Sequence, residues 1–415
     1  MNRRDFLCKA AVAPFLAPAL APALAPVFGP LRAYAQEAKP ADQLRITKVE
    51  PYLIRLAEGS RPYPCCRIET AEGIHGWGEG TTPPTNPAVI TQIRESGKLL
   101  IGKSAFDIEG HWIQMYTTEF NTLGGTLFAA MAAIDTALWD IVGKKLGVPV
   151  YKLLGGRANP ASKSLRIYAS SPWPGKLPRT RDAYYAATKE AIAKGATGGK
   201  SDWMGPVRID REIDTQTLNE ARDIIQGIRE AGPNFDICVE THGKFNMHAA
   251  GRIMEMVRPF NVYFVEEPLP PENIDALAAL QQQTNVPIAT GESLQSPPMF
   301  RELFEKNACR IAQPDLARTG GITAMKKIAT MADVHYINIA PHNPNGPLCT
   351  AATLHVCTSI PNFLINEQGA NNPAVYNDIF PGGWKPSLSE MWVPEVPGVG
   401  VDFSPAFLKE HAVPI

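Results

Sequence analysis

The stretch Phe235-Asp236-Ile237-Cys238-Val239-Glu240-Thr241-His242-Gly243, FDICVETHG, is the one on which the fold turns. It is an apolar run of strand length that ends in a carboxylate, an imidazole two positions later and a glycine. Alternate side chains of a strand share a face, so Glu240 and His242 are expected side by side. The same grammar recurs on both sides of it, in SLRIYASS (164–171), ATGGKSD (196–202), VYFVEEP (262–268), PIATGES (287–293), CRIAQPD (309–315), YINIAPH (336–342) and FLINEQ (363–368). Helical patterns such as 211–231, 249–258 and 274–284 lie between these eight candidate strands, so the sheet reads as parallel and the fold as α/β. The later strands end at Glu240, Glu266, Glu292, Asp315, His342 and Glu367, in steps of 26, 26, 23, 27 and 25 residues, one βα unit each. An eight-fold barrel of the TIM type brings the ends of all its strands to a single mouth.

Upstream the texture differs. LRITKVEPYLIRL (44–56) and CRIETAEGIHGWGEG (66–80) read as strands, and 88–102 and 127–146 as helices, the second ending in a glycine stop. This gives an α+β capping segment over 43–160, a barrel over 165–374 and a tail over 375–415. The tail is rich in Pro, Gly and Trp, reads as neither strand nor regular helix until GVGVDFSP (398–405), and is expected to return to the N-terminal segment. The first 35 residues are expected outside the fold. NRRDFLCKA (2–10), an Ala/Pro/Leu/Val stretch and Ala33-Tyr34-Ala35 form a twin-arginine export signal cut after Ala35, implying a periplasmic or exported protein. Prolines at 14, 18, 22, 26 and 30 suit a bilayer helix poorly. No later stretch holds about 18 uninterrupted apolar residues, so no membrane partner is expected after cleavage.

The net charge is −1, and beyond residue 35 the chain holds 36 basic against 40 acidic residues, which gives no sign of a nucleic-acid or membrane surface. Six cysteines lie outside the signal, at 65, 66, 238, 309, 349 and 357, without a C-x-x-C pair. They do not read as a disulfide framework; Cys238 and Cys309, within apolar runs, read as small core residues, and the adjacent Cys65 and Cys66 leave oxidation in the periplasm open.

Three acids on successive strand ends, Glu240, Glu266 and Glu292, would converge on one ion. Hard oxygen ligands suit Mg²⁺, with positions left for substrate oxygens. Each acid alone would read as a solvated loop carboxylate; their register argues for a site. Asp315 and His342 end neighbouring strands, and a carboxylate on one imidazole nitrogen leaves the other free to take a proton. His242 supplies a second proton-transfer group opposite His342. A metal between two imidazoles suits abstraction of a proton next to a carboxylate, followed by loss of a β-hydroxyl protonated by His242. His75, His111, His335, His355 and His411 read as structural.

At these residues the sequence resembles the enolase superfamily, mandelate racemase and muconate lactonizing subgroup, and within it the acid-sugar dehydratases. GWGEG, AAIDTALWDIVGKKLGVPVYKLLGG, FVEEPLPPEN, ATGES, QPDLARTGGIT, APHNPNGPL and NEQ fall in the family's order and spacing over about residues 45 to 405. The resemblance implies a modified (β/α)8 barrel under an α+β cap built from both chain ends, and a homo-oligomer. It makes Glu240, Glu266 and Glu292 the magnesium ligands, Asp315 and His342 the base dyad and His242 the general acid. Glu367 becomes the group that hydrogen-bonds the enolate or its carboxylate. Two positions depart from the pattern. Glu240 is one methylene longer than the usual aspartate, so the ion is expected to be displaced or the strand end set back. The second barrel strand has Lys200 and then Asp202 in place of two lysines, which counts against a lysine-based racemase, epimerase or cycloisomerase. Lys200 and Asp202 become the candidate substrate-binding residues, Asp202 for sugar hydroxyls. The leading expectation is dehydration of a galactonate-like aldonate. Epimerisation by two opposed histidines, or a catalytically silent sugar-acid binding protein, stands beside it.

Overall fold

The structure, a computed structural model, describes residues 44–118, 121, 123–368, 373–383, 385 and 387–415. The export-signal reading therefore lies outside the described residues. Strands β1 (Ile46–Ile54), β2 (Tyr63–Thr70) and β3 (His75–Glu79) form an antiparallel meander. Eight further strands are β4 (Ser164–Ser170), β5 (Gly198–Ser201), β6 (Asp236–Glu240), β7 (Phe264–Glu266), β8 (Ile288–Thr290), β9 (Ile311–Ala312), β10 (Asn338–Ile339) and β11 (Asn366–Gln368). Each pairs in parallel with its sequence neighbour from β4 to β10, and β11 pairs with β4. A parallel bridge between Ile339 and Phe363, just ahead of β11, completes the ring. All eight strand readings correspond to strands of this barrel. The helix expected over 211–231 begins only at Thr215, because the Asp214 side chain accepts the Thr217 amide and caps it there.

The tail holds more regular structure than its composition suggests. It contains helices Pro373–Ile379 and Pro405–His411 and two strands, β12 (Glu390–Trp392) and β13 (Ala412–Val413). Strand β13 pairs with β1 of the meander, and Asp402 ahead of it accepts from Trp77 Nε1 of β3 at 2.9 Å, whereas β12 runs antiparallel to β4 of the barrel. Backbone pairing, which the irregular composition of this segment hid, holds the first part of the tail on the barrel.

The cap is built on a strand-to-helix contact that the sequence GWGEG makes possible. A Cβ placed on Gly76, Gly78 or Gly80 would fall 2.1, 1.9 or 1.8 Å from the carbonyl oxygens of Ala137, Ala133 and Ala129 respectively. Two residues of strand advance about 6.6 Å and four of helix about 6 Å, so glycines at every second position match alanines at every fourth. Helix Gly125–Leu146 is apolar and long enough by composition to cross a membrane, yet it packs here as the buried core of the cap. With the glycines turned to the helix, Trp77 and Glu79 point the other way. The six cysteines are buried and free, Cys65 and Cys66 included.

Candidate active site

A buried apolar layer crosses the barrel, formed by Tyr168, Cys238, Phe264, Ala289, Ile311, Ala340 and Ile365. Side-chain direction repeats every second residue, so two positions further on the same face carries Ser170, Glu240, Glu266, Gly291, Gln313, His342 and Glu367. Lys200 joins them from β5. The barrel thus holds a polar ring on an apolar floor at the carboxyl ends of its strands.

Glu240 and Glu266 are register partners on β6 and β7. Glu292 reaches the same point from one residue beyond Gly291, whose φ of 140° and close approach to Gln313 and Phe300 leave no room for a side chain. The three carboxylates offer oxygens within 4.8 Å of one another and could hold a metal ion. The extra methylene of Glu240 is taken up by folding back: its Oε1 accepts the amides of Thr241 and His242, both at 2.8 Å. Its Oε2 stays in the cluster, 3.0 Å from Lys200 Nζ.

Lys200 is the cation of the cluster. Its Nζ also lies 2.7 Å from Glu266 and 3.2 Å from Glu367. Burial opposes its charge, but Glu266 and Glu367 hold its pKa well above the usual lysine value. Burial and then the neighbouring Glu240 push the Glu266 carboxyl well up. Gln313 donates to the second Glu266 oxygen at 2.6 Å. Glu367 has both oxygens engaged, by Ser170 Oγ at 2.7 Å and the Asn343 amide at 3.1 Å. Lys200 is therefore a partner of the carboxylates first, whatever it also offers a substrate.

Two imidazoles face this cluster from opposite sides, since β6 and β10 stand four strands apart in an eight-membered ring. His342 is buried, with Nδ1 2.7 Å from Asp315 Oδ2 and Nε2 2.8 Å from Glu292 Oε2. Burial disfavours its charge, yet Glu292 and the hydrogen bonds to Asp315 and Glu292 raise its pKa well above the usual imidazole value. His242 does not share a strand face with Glu240, as expected of an extended run. It lies past the end of β6 at φ 50°, a left-handed backbone that turns the half-exposed ring back toward the cavity. Its Nδ1 is 2.8 Å from Asp202 Oδ2 and its Nε2 4.0 Å from Glu240 Oε2. The Asp202 hydrogen bond raises its pKa.

Several members of the site were not singled out in the sequence. Asn345 donates to Asp315 Oδ1 at 2.9 Å, and Arg318 lies 3.2 Å from Asp315 Oδ2. Lys244 donates to Asp202 at 2.6 Å. Glu267, at φ 44°, is lifted to about 7 by burial and the nearby Glu292. Their only local signal was adjacency, since Glu267 follows Glu266 and Lys244 stands two positions after His242. Of the histidines read as structural, His111 rests on the Ser104 carbonyl at 2.7 Å and His355 on that of Val399 at 3.1 Å. The loop after β5 reaches the His242 turn, where the Asn246 amide donates to the Arg211 carbonyl at 2.9 Å. The cap reaches the β8 end, since a Cβ on Gly125 would meet Gln295 at 3.2 Å and Thr82 at 3.6 Å.

A barrel of this kind beneath a mixed cap defines an enzyme of the enolase superfamily. Residues 45–155 match the mandelate racemase / muconate lactonizing enzyme N-terminal domain, and residues 183–407 the enolase C-terminal domain-like family. A D-galactonate dehydratase of Ralstonia pickettii (strain 12J) is 33% identical over 357 residues, 83% of this chain and 90% of that one. Another from Xanthomonas euvesicatoria pv. vesicatoria (strain 85-10) is 34% identical over 303 residues, 73% of this chain and 77% of the relative. A crystal structure of an enolase-superfamily member from Salmonella Typhimurium superposes with a TM-score of 0.83 at 29% identity, covering 89% of this chain and 98% of that one. One of a mandelate racemase/muconate lactonizing enzyme from Jannaschia sp. CCS1 gives 0.82 at 27% identity, covering 90% and 98%. The chain belongs to the mandelate racemase/muconate lactonizing enzyme family.

Proposed function

We propose that the protein is a Mg²⁺-dependent hydro-lyase that dehydrates a galactonate-like aldonate to the 2-keto-3-deoxy acid. The hydro-lyase class is that of the D-galactonate dehydratases to which the chain is similar. The observation that carries the mechanism is the pair of Asp-bound imidazoles on opposite sides of one carboxylate cluster. Glu240, Glu266 and Glu292 are the residues that would hold the ion, and an all-oxygen donor set of net negative charge fits a small hard dication. Such an ion supplies charge stabilisation to the substrate carboxylate as negative charge builds on it. Asp315, fixed by Asn345, holds the Nδ1 hydrogen of His342, so Nε2 is the atom that takes the proton from C2. Were Glu292 to hold the cation, its carboxylate would no longer be the partner of His342 Nε2. The electron pair left at C2 moves into the enolate, then forms the C2–C3 double bond as the C3–O bond breaks. His242 gives its proton to the departing hydroxyl, and water leaves. The enol product tautomerises to the keto acid, so no oxidant or reductant is needed.

The test is an assay of protein from Gln36 onward with Mg²⁺ against hexonates, pentonates and uronates, read as 2-keto-3-deoxy acid beside a His342→Asn control. Turnover of one or two acids, lowered about 10²–10⁴-fold in the control, is expected. A second reading, epimerisation at C2, is favoured by the likeness of the two Asp–His pairs. It would appear as solvent deuterium at C2 of recovered substrate with inverted configuration and no keto acid, and that outcome would overturn dehydration.

A further inference from the structure

We propose that Asp202 is a positioning residue for His242, held in place by Lys244, rather than a ligand of the substrate. The inference rests on the dehydratase reading for its consequence, and on geometry for its substance. Asp202 follows β5 directly, and the Ser201–Val239 register sets it beside the turn that carries His242. Its Oδ1 accepts the Met204 amide at 3.0 Å. Its Oδ2 takes two donors, His242 Nδ1 at 2.8 Å and Lys244 Nζ at 2.6 Å. Both lone pairs of that oxygen are therefore occupied before any sugar hydroxyl arrives. Lys244 is 5% exposed and spends a second donor on the Gly205 carbonyl, so it is fixed from two sides.

The His242 side chain needs such a clamp because it is 54% exposed, and a ring with that freedom samples several rotamers. The amide of the same residue is tied to Glu240 Oε1, which fixes the backbone but not the ring. A carboxylate only accepts, so Asp202 sets the hydrogen on Nδ1 and presents Nε2 to the cavity. The arrangement repeats that of Asp315 and His342, where Asn345 holds the aspartate as Lys244 does here. Both imidazoles are thus oriented by an aspartate that is itself secured.

The experiment compares Asp202→Asn, Lys244→Met, His242→Asn and the Asp202→Asn/His242→Asn double variant on D-galactonate and on its 3-deoxy-3-fluoro analogue, whose fluoride departs with little need of a proton. Asp202→Asn is expected to lower kcat for dehydration about 10–100-fold, the usual effect of losing an orienting partner, with KM changed by less than about twofold. Fluoride release and C2 deuterium exchange are expected to persist, Lys244→Met to lose less in the same direction, and the double variant to be no worse than His242→Asn. A raised KM with unchanged kcat, or an equal loss on the fluoro analogue, overturns the proposal. Full dehydration by His242→Asn would instead sink the role given to His242. Independently of turnover, imidazole ¹⁵N spectra of the full chain, assigned with His242→Asn and taken at a pH where the ring is neutral, should show His242 as a single Nδ1–H tautomer in the wild type, which leaves Nε2 as the atom that binds and delivers the catalytic proton. That tautomer should give way to a mixture in Asp202→Ala, and an unchanged tautomer overturns the proposal.

Discussion

Lys200 has its ammonium among Glu240, Glu266 and Glu367 with 5% of its side chain exposed, and no other lysine or arginine pairs with these three carboxylates among the described residues. Removing one partner of a buried ion cluster leaves uncompensated charge, at a cost of about 3–5 kcal/mol. Lys200→Met should therefore melt at a lower temperature than the wild type in EDTA. Since a cation binding the folded chain stabilises it by mass action, Mg²⁺ should raise the melting temperature more in the variant than in the wild type. Equal shifts in differential scanning calorimetry would mean that lysine and cation do not share the carboxylates. At this scale the sequence was legible where a polar residue closed an apolar run, as Glu240, Glu266, Glu292, Asp315 and His342 do. It was silent where meaning comes from a distant partner: Lys244 finds Asp202 across 42 residues, Asn345 finds Asp315 across 30 and Gln313 finds Glu266 across 47. His242 fell between, found by spacing but misjudged in conformation, because a left-handed turn has no signature beyond the glycine that follows it.

Among elements, the contact of β3 with helix Gly125–Leu146 carries the sharpest constraint. A methyl group on Gly78 would lie 1.9 Å from the Ala133 carbonyl, a backbone atom in the middle of a buried helix that cannot turn aside. Gly78→Ala is expected to destabilise by at least about 1–3 kcal/mol, the usual cost of overpacking, in urea unfolding. Gly251 is the contrast. It sits in helix Met247–Val257, where an added methyl group would meet nothing within 4 Å, so Gly251→Ala should stabilise by about 0.5–1 kcal/mol through helix propensity. A neutral Gly78→Ala would show that strand and helix can separate without cost. Both partners were legible separately, as a strand ending in GWGEG and as a helix over 127–146. Their meeting was not, because periodicity reports the face an element presents and not which element receives it. The eight barrel strands were legible for the opposite reason: each repeats one unit, and a parallel βα repeat has few ways to close.

For the whole molecule, the cap is joined to the barrel by buried carboxylates at helix N-termini, where free amides and the helix dipole favour an anion. Glu79 of β3 accepts the amides of Gly346 at 2.7 Å and Cys349 at 3.1 Å, at the start of helix Pro347–Thr358. Asp135 accepts the Thr323 amide at 3.0 Å, in the first turn of helix Gly321–Val334. Glu79 also bears on the chemistry, since Gly346 adjoins the Asn345 that secures Asp315. Burial, partly offset by these hydrogen bonds, raises both carboxyls to about 7, against about 4 in an unfolded chain. Between those values the folded protein binds more protons than the unfolded one, so this contribution is fully present below about pH 4 and is lost as pH rises through about 7. Other groups titrate in the same range with the opposite sign, His355 among them, held down to about 4 by its burial. A difference measurement isolates the effect. The stability of the wild type relative to Glu79→Gln should fall as pH rises from about 5 to about 7 and level off above that, because the amide has no proton to lose. Thermal melts of both proteins across that interval decide it: a constant gap would mean that Glu79 is ionised throughout, and that the amides of the barrel helix overcome the cost of burying its charge.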